Sequence, residues 1–260
     1  GAAIQVLTGI PAAWGVFQQP VMDEYGLSEQ GAGYAFGILI AAFGVGCVLG
    51  GFLQDSRGPR CAALWGTALL CGGFFAAAIL PGGSAGSFFL AFSIPAGLGT
   101  AFLYPSIQSC AQKWYAGRKG LATGVIGGAV GLSGAFLTVF VRTAVSGFGI
   151  VQGIRGAFWA LGAITLPVCL AGSLLLQDPP QDAEKQQQND KNTIDLSPWQ
   201  MLKTKQYWLC AGAVCFSTPA VLLFSPIILK LGVERGLDES AALWSVVLGS
   251  VGSAAGRLLM

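Results

Sequence analysis

"GAGYAFGILIAAFGVGCVLGGFLQDSRGPR", residues 31–60, runs twenty-four positions without a charged side chain and then carries Asp55, Arg57 and Arg60 within six. At about 1.5 Å per residue the uncharged part makes a helix of about 36 Å, more than the roughly 30 Å of hydrocarbon in a bilayer. Its glycines would each weaken a helix in water by about 1 kcal/mol, whereas a membrane helix uses them to let backbones approach closely. The solvent of this stretch is lipid.

The rest of the chain repeats the pattern. It is 53% hydrophobic and 10% charged, with a mean hydropathy of +0.65, far from the roughly 25% charge of soluble domains. Runs almost free of charge at 2–20, 31–53, 61–81, 87–112, 120–141, 156–176, 207–229 and 240–260 predict eight membrane-spanning helices and an all-α, polytopic fold. Glycine, proline and charge punctuate every gap.

One gap is long. Residues 177–206 include "QDPPQDAEKQQQNDKN", a charged, glutamine-rich tract with too little apolar surface to order itself. It divides the chain into a six-span unit at 1–176, a solvated linker at 177–206 and a pair of spans at 207–260. Residue 1 is Gly rather than Met, and the last span stops at Met260 with no polar tail, so the sequence reads as part of a longer chain. No basic segment precedes the first apolar run, which is therefore not a signal peptide.

With the first span running outward, the inner loops hold Arg57, Arg60, Lys113, Arg118, Lys119, Lys185, Lys191, Lys203 and Lys205. The outer loops hold Arg142, Arg155, Lys230 and Arg235 among the acidic residues Asp23, Glu24, Glu29, Glu234, Asp238 and Glu239. That bias predicts a cytoplasmic linker and N-terminus. Net charge +2 distributed by sidedness gives no footprint for nucleic acid.

Arg257 alone falls inside a span, and no carboxylate does. A mid-membrane arginine costs about 2.5 to 3.5 kcal/mol on insertion scales, so it marks a functional site by default. A bland alternative stays open. Arg257 lies about 25 Å along the last span, near enough to the interface for its stem to snorkel.

Glycines line one face of the fifth span, where Gly124, Gly128 and Gly131 stack with Ala135 to form a packing surface. In the second span Gly37, Gly44, Gly46, Gly50 and Gly51 predict more close crossings. Prolines within the apolar runs (Pro11, Pro95, Pro105, Pro167, Pro219, Pro226) free carbonyls and bend helices. Cys47, Cys61, Cys71, Cys110, Cys169, Cys210 and Cys215 read as small hydrophobes; with no C-x-x-C pair and no histidine, neither a metal nor a cofactor is expected.

The loop motifs narrow the class. Gly51, Asp55, Arg57, Gly58 and Arg60 in "GGFLQDSRGPR" resemble the G-x-L-x-D-x-x-G-x-R signature between the second and third helices of the major facilitator superfamily. Ser56 and Pro59 stand where that family usually has basic residues. "QKWYAGRKGLATGVIGGAVGLSGA", residues 112–135, is similar to the helix 4 to helix 5 junction of the oxalate/formate antiporter branch, as is "LSPWQMLKTKQYWL" before the seventh span. Related monocarboxylate carriers share much of this pattern.

The resemblance implies twelve helices in two six-helix halves, with the present chain covering the first half and the opening of the second. It implies a secondary transporter that moves small organic anions by alternating access. Arg257 matches the eighth-helix arginine that, with a lysine on the eleventh helix, binds substrate carboxylates. Tyr104 and Trp14 match aromatic positions around the substrate, and Gln18, Gln108 and Ser106 are further polar candidates. Asp55 matches a carboxylate that meets a helix end of the second half and holds the outward-open state.

The expected partners are thus a small organic anion and the bilayer, around a monomer. A carrier of another solute, such as an amino acid or a sugar, and a receptor that has lost transport are the alternatives. An intramembrane protease is a remote one: "GLSG", residues 131–134, matches a rhomboid-type motif around Ser133, which needs a histidine base that the chain lacks.

Overall fold

The computed structural model describes residues 1–82, 85–145, 153–179 and 198–259, with the backbone alone at 145, 198–199, 217–223, 225–226 and 238. Most of the expected linker, 180–197, lies outside the described residues, as do the side chains of Pro219 and Pro226. The helices are α1 (Ala2–Thr8), α2 (Ile10–Tyr25), α3 (Glu29–Arg57), α4 (Pro59–Ile79), α5 (Ala85–Phe88), α6 (Ile94–Trp114), α7 (Lys119–Val145), α8 (Gly153–Leu174), α9 (Pro198–Met201), α10 (Lys205–Glu234) and α11 (Glu239–Leu259). Among the described residues, six helical stretches are long and apolar enough to cross a membrane.

The expected first span is two helices, because Gly9 leaves helical geometry at φ −81°, ψ 40° and caps α2. Pro11 explains the break: it has no N–H to donate to Leu7, and its ring would press on that carbonyl. A Cβ on Gly9 would lie 1.5 Å from Ser133 Oγ, so this junction presses directly onto α7. The fourth span is also interrupted. A π-helical turn, Phe89–Ser93, joins α5 to α6, a distortion that charge and hydropathy patterns do not register.

Turn chemistry sets the other ends. Gly26, left-handed at φ 65°, closes α2 and returns its N–H to Met22. Ser28 then caps α3 by accepting from the Gly31 N–H. Between α3 and α4, Gly58 sits at φ 84°, ψ 165° and Pro59 opens α4.

Close backbone approaches build the bundle around α6. A Cβ on Gly97 would lie 2.4 Å from the Leu39 carbonyl of α3, and one on Gly99 would lie 2.5 Å from the Leu70 nitrogen of α4. The glycines of α3 divide. Gly46 and Gly50 abut Ala101 and Phe102 of α6, whereas Gly37, Gly44 and Gly51 face open space. Rings of Trp14, Phe17, Tyr25, Phe74, Phe88, Phe92 and Phe158 make a fully buried cluster. Tyr25 anchors it by donating to the Ala77 carbonyl at 2.7 Å.

Candidate functional site

The chain before residue 180 meets the chain after 197 mainly where α10 packs on α2 and α11 on α7. The second seam is a glycine groove. A Cβ on Gly124 would lie 2.8 Å from the Arg257 carbonyl, one on Gly128 3.1 Å from Leu258 Cγ, and one on Gly131 2.7 Å from the Ala254 nitrogen. Only hydrogen at these positions lets the two backbones touch.

Gly127, which the glycine face read from sequence omits, sits on the flank of that groove. The stem of Arg257 lies across it, and a Cβ there would come 3.3 Å from Arg257 Cδ. The guanidinium then donates from Nη1 to the Gly127 carbonyl at 3.1 Å. Arg257 is otherwise exposed, and among the described residues no carboxylate comes within ion-pairing distance.

Gly134, seven residues on from Gly127 and so on the same side of α7, faces both Ser250 of α11 and Ala12 of α2. Gly127 thus shares the side of α7 that, seven residues on, meets α2 and α11. Phe136, nine residues from Gly127, is two and a half turns away on the opposite side. There, with Val139, Phe140 and Val247, it lines an open apolar groove.

Depth can be placed as well. Gln112 donates to Thr123 Oγ1 at 2.8 Å, pinning the end of α6 to the start of α7. One turn further along these antiparallel helices come Gln108 and Gly127, at matching depth. Tyr104 lies a turn beyond, half-buried, with its ring 6.4 Å from Phe43. Gln108 is half-buried, and its Oε1 is covered without a hydrogen-bond partner.

Gln18 is half-exposed on the α2 face that carries Pro11 and Gly15. Trp14 lies one turn before Gln18 on α2. It is fully buried, with Phe36 and Phe92 stacked at 5.9 Å and 6.4 Å, which leaves its ring no surface for a solute in this state. Ser106 is buried and donates to the Phe102 carbonyl.

The motif after the second span lies at the far end of α3. Asp55, Arg57 and Arg60 are exposed, and Asp55 has no ion-pair partner among the described residues. Nearby, Gln54 ties α3 to α6 by donating to Ser109 Oγ at 2.9 Å. Ser133 is buried at the crossing with Gly9 and donates to the Val130 carbonyl of its own helix.

Sequence reasoning also missed Gln5, whose buried amide accepts from Thr8 but leaves Nε2 unpartnered. It missed the ion pair of Lys230 with Glu29, which bridges α10 and α3.

Membrane-length helices packed closely through glycine define a multi-pass integral membrane protein. The chain belongs to the Major Facilitator Superfamily, whose model matches residues 2–260. It is 24% identical over 206 residues to an oxalate:formate antiporter of Oxalobacter formigenes, covering 78% of this chain and 47% of that protein. An uncharacterized 38 kDa protein in the 23S RNA operon of Thermoproteus tenax is 27% identical over 246 residues, 94% of this chain and 60% of that one. Monocarboxylate transporter 9 of Rattus norvegicus is 29% identical over 174 residues, 64% of this chain and 32% of that one.

Among solved structures, that of the proton:xylose symporter XylE bound to 6-bromo-6-deoxy-D-glucose superposes with a TM-score of 0.61 at 14% identity, covering 99% of this chain and 67% of that one. This likeness is one of fold. The chain spans about half the length of the first curated relative. Family and fold are those of carriers, not of enzymes.

Proposed function

We propose that the protein containing this chain carries small organic anions, carboxylates such as oxalate, formate or monocarboxylates, by alternating access of two halves joined through the linker. The observation that carries the reading is Arg257: a guanidinium inside a span, bonded to a neutral carbonyl of α7 and lacking a carboxylate partner among the described residues. A planar fork of this kind takes a carboxylate in two parallel hydrogen bonds. The gain for hydrogen bonds to charge, about 1.5 to 3 kcal/mol, is small enough for release. The oxalate:formate antiporter and monocarboxylate transporter among the relatives support the solute class.

In this reading Gln108, Tyr104 and Gln18 border the anion, Asp55 gates the side facing the cytoplasm, and the linker is cytoplasmic. The test is counterflow of labelled oxalate into proteoliposomes of the full-length protein. Arg257→Ala and Arg257→Lys are expected to abolish uptake at unchanged expression, the lysine because a point charge does not reproduce the fork. Unchanged uptake in both variants removes Arg257 from the site. Uptake of xylose or an amino acid in place of any carboxylate replaces the anion reading with the rival carrier.

A further inference from the structure

The guanidinium that would receive the substrate also holds the carrier together. Arg257 is on α11, after the linker; Gly127 is on α7, before it; and their hydrogen bond, 3.1 Å from Nη1 to the carbonyl, crosses the seam at the end where α7 begins and α11 stops. At Gly124 and Gly131 the α7 backbone lies against the backbone of α11, so this end of the seam opens only if the bond breaks. The acceptor is a backbone carbonyl inside a helix, already engaged by its own helix, and offers the guanidinium a spare lone pair rather than a charge. A carboxylate offers two charged oxygens in the plane of the fork and is the stronger acceptor.

We propose that Arg257 is a substrate-released latch: bonded to Gly127 it keeps this end of the α7–α11 seam shut, and a carboxylate that captures its guanidinium frees the seam to open. The proposal rests on the carboxylate reading of the site. It ties opening to loading, because a ligand moves a conformational equilibrium only through a preference for one state, and here the open state is the one in which the guanidinium is not claimed by α7.

Pulsed electron-electron distances between spin labels at positions 119 and 259 of the full-length protein in nanodiscs test it, without ligand and with oxalate. The parent is expected to be closed without ligand and to gain a longer-distance population with oxalate. Arg257→Met keeps an unbranched stem over Gly127 but has no donor, and is expected to show the longer distance without ligand. A ligand-free Arg257→Met protein with the parent's distances overturns the latch.

Gly127→Ala gives a second reading with Arg257 intact. Its methyl meets the flexible stem rather than backbone, so the helices still cross while the latch weakens. With the competing closed state less favoured, apparent oxalate affinity rises, by about two- to tenfold. A fall in affinity overturns the proposal, because that is the result of a merely steric defect. If Arg257→Met opens the seam but oxalate leaves the parent closed, release by carboxylate is overturned; retained oxalate uptake in Arg257→Ala would then place the failure in the site reading rather than in the latch.

Discussion

Lys230 Nζ lies 2.5 Å from Glu29 Oε1, joining the last turns of α10 to the first residue of α3 across 201 positions of sequence. Both side chains are exposed, at 51% and 67%, so the pair is screened by water and salt and biases packing only weakly. The Glu29 carboxylate, through its hydrogen bond first and its charge second, raises the Lys230 ammonium above its ordinary 10.5. A raised pKa means that the contribution is fully present below pH 10.5 and is lost as pH rises through the higher folded-state value. Lys230→Met and Glu29→Gln are therefore expected to change transport rates by no more than about fivefold. Neither should alter the profile between pH 6 and 9, which uptake assays across that range will check.

The seam between α7 and α11 is less forgiving. Gly131→Val places a branched side chain where a Cβ alone would lie 2.7 Å from the Ala254 nitrogen, and backbone on both sides has no rotamer to yield. The expected cost is about 1 to 3 kcal/mol, a fall of several degrees in Tm measured by thermal unfolding in detergent. Gly120→Ala, with nothing within 4 Å of the new methyl, is the control and should hold or raise the Tm. Equal melting of the two variants would mean that the groove is not packed as described.

Within the motif after the second span, the two glycines have different reasons to be there. Gly58, at φ 84° and ψ 165°, occupies backbone space that residues with a Cβ avoid, so Gly58→Ala should cost about 1 to 3 kcal/mol. Gly51 is helical and open, and Gly51→Ala should be neutral or stabilising by up to about 1 kcal/mol. Asp55 is exposed, so Asp55→Asn is expected to leave the Tm alone while shifting the inward/outward balance. Identical cysteine accessibility from both membrane faces in variant and parent would count against Asp55 as a gate.

What could be read from sequence follows from what lipid penalises. Charge is expensive in hydrocarbon, so the uncharged runs marked α3, α4, α7, α8 and α11 to within a few residues, and the turn at Gly58 announced itself through Gly-Pro. Local backbone breaks carry no such penalty. Pro11 was legible as a bend, but that Gly9 would absorb it depends on Ser133 of another helix, 124 positions away. The π turn at Phe89–Ser93 left no trace in composition. Site residues divide in the same way: Arg257 stood out because a lone charge in a span demands an account, yet its hydrogen bond to Gly127 depends on a residue 130 positions away. Trp14, placed near substrate by family resemblance, stacks between Phe36 and Phe92, and no property of one indole tells a core from a cavity wall.

Gln108 offers a test in which fold and function move in opposite directions. Its covered Oε1 has no partner, and an unpartnered buried polar atom costs about 1 to 3 kcal/mol relative to an apolar replacement of similar shape. Gln108→Leu should therefore raise the Tm. The same residue lies at the depth of Gly127 on the neighbouring α7, and if it borders the anion as proposed, oxalate uptake should fall by about tenfold. Sites held in unfavourable chemistry for function behave in this way, gaining stability as they lose activity. A variant that melts higher and transports as well as the parent would show that Gln108 packs α6 without touching the anion. One that melts lower would show that the amide is satisfied within the full-length protein.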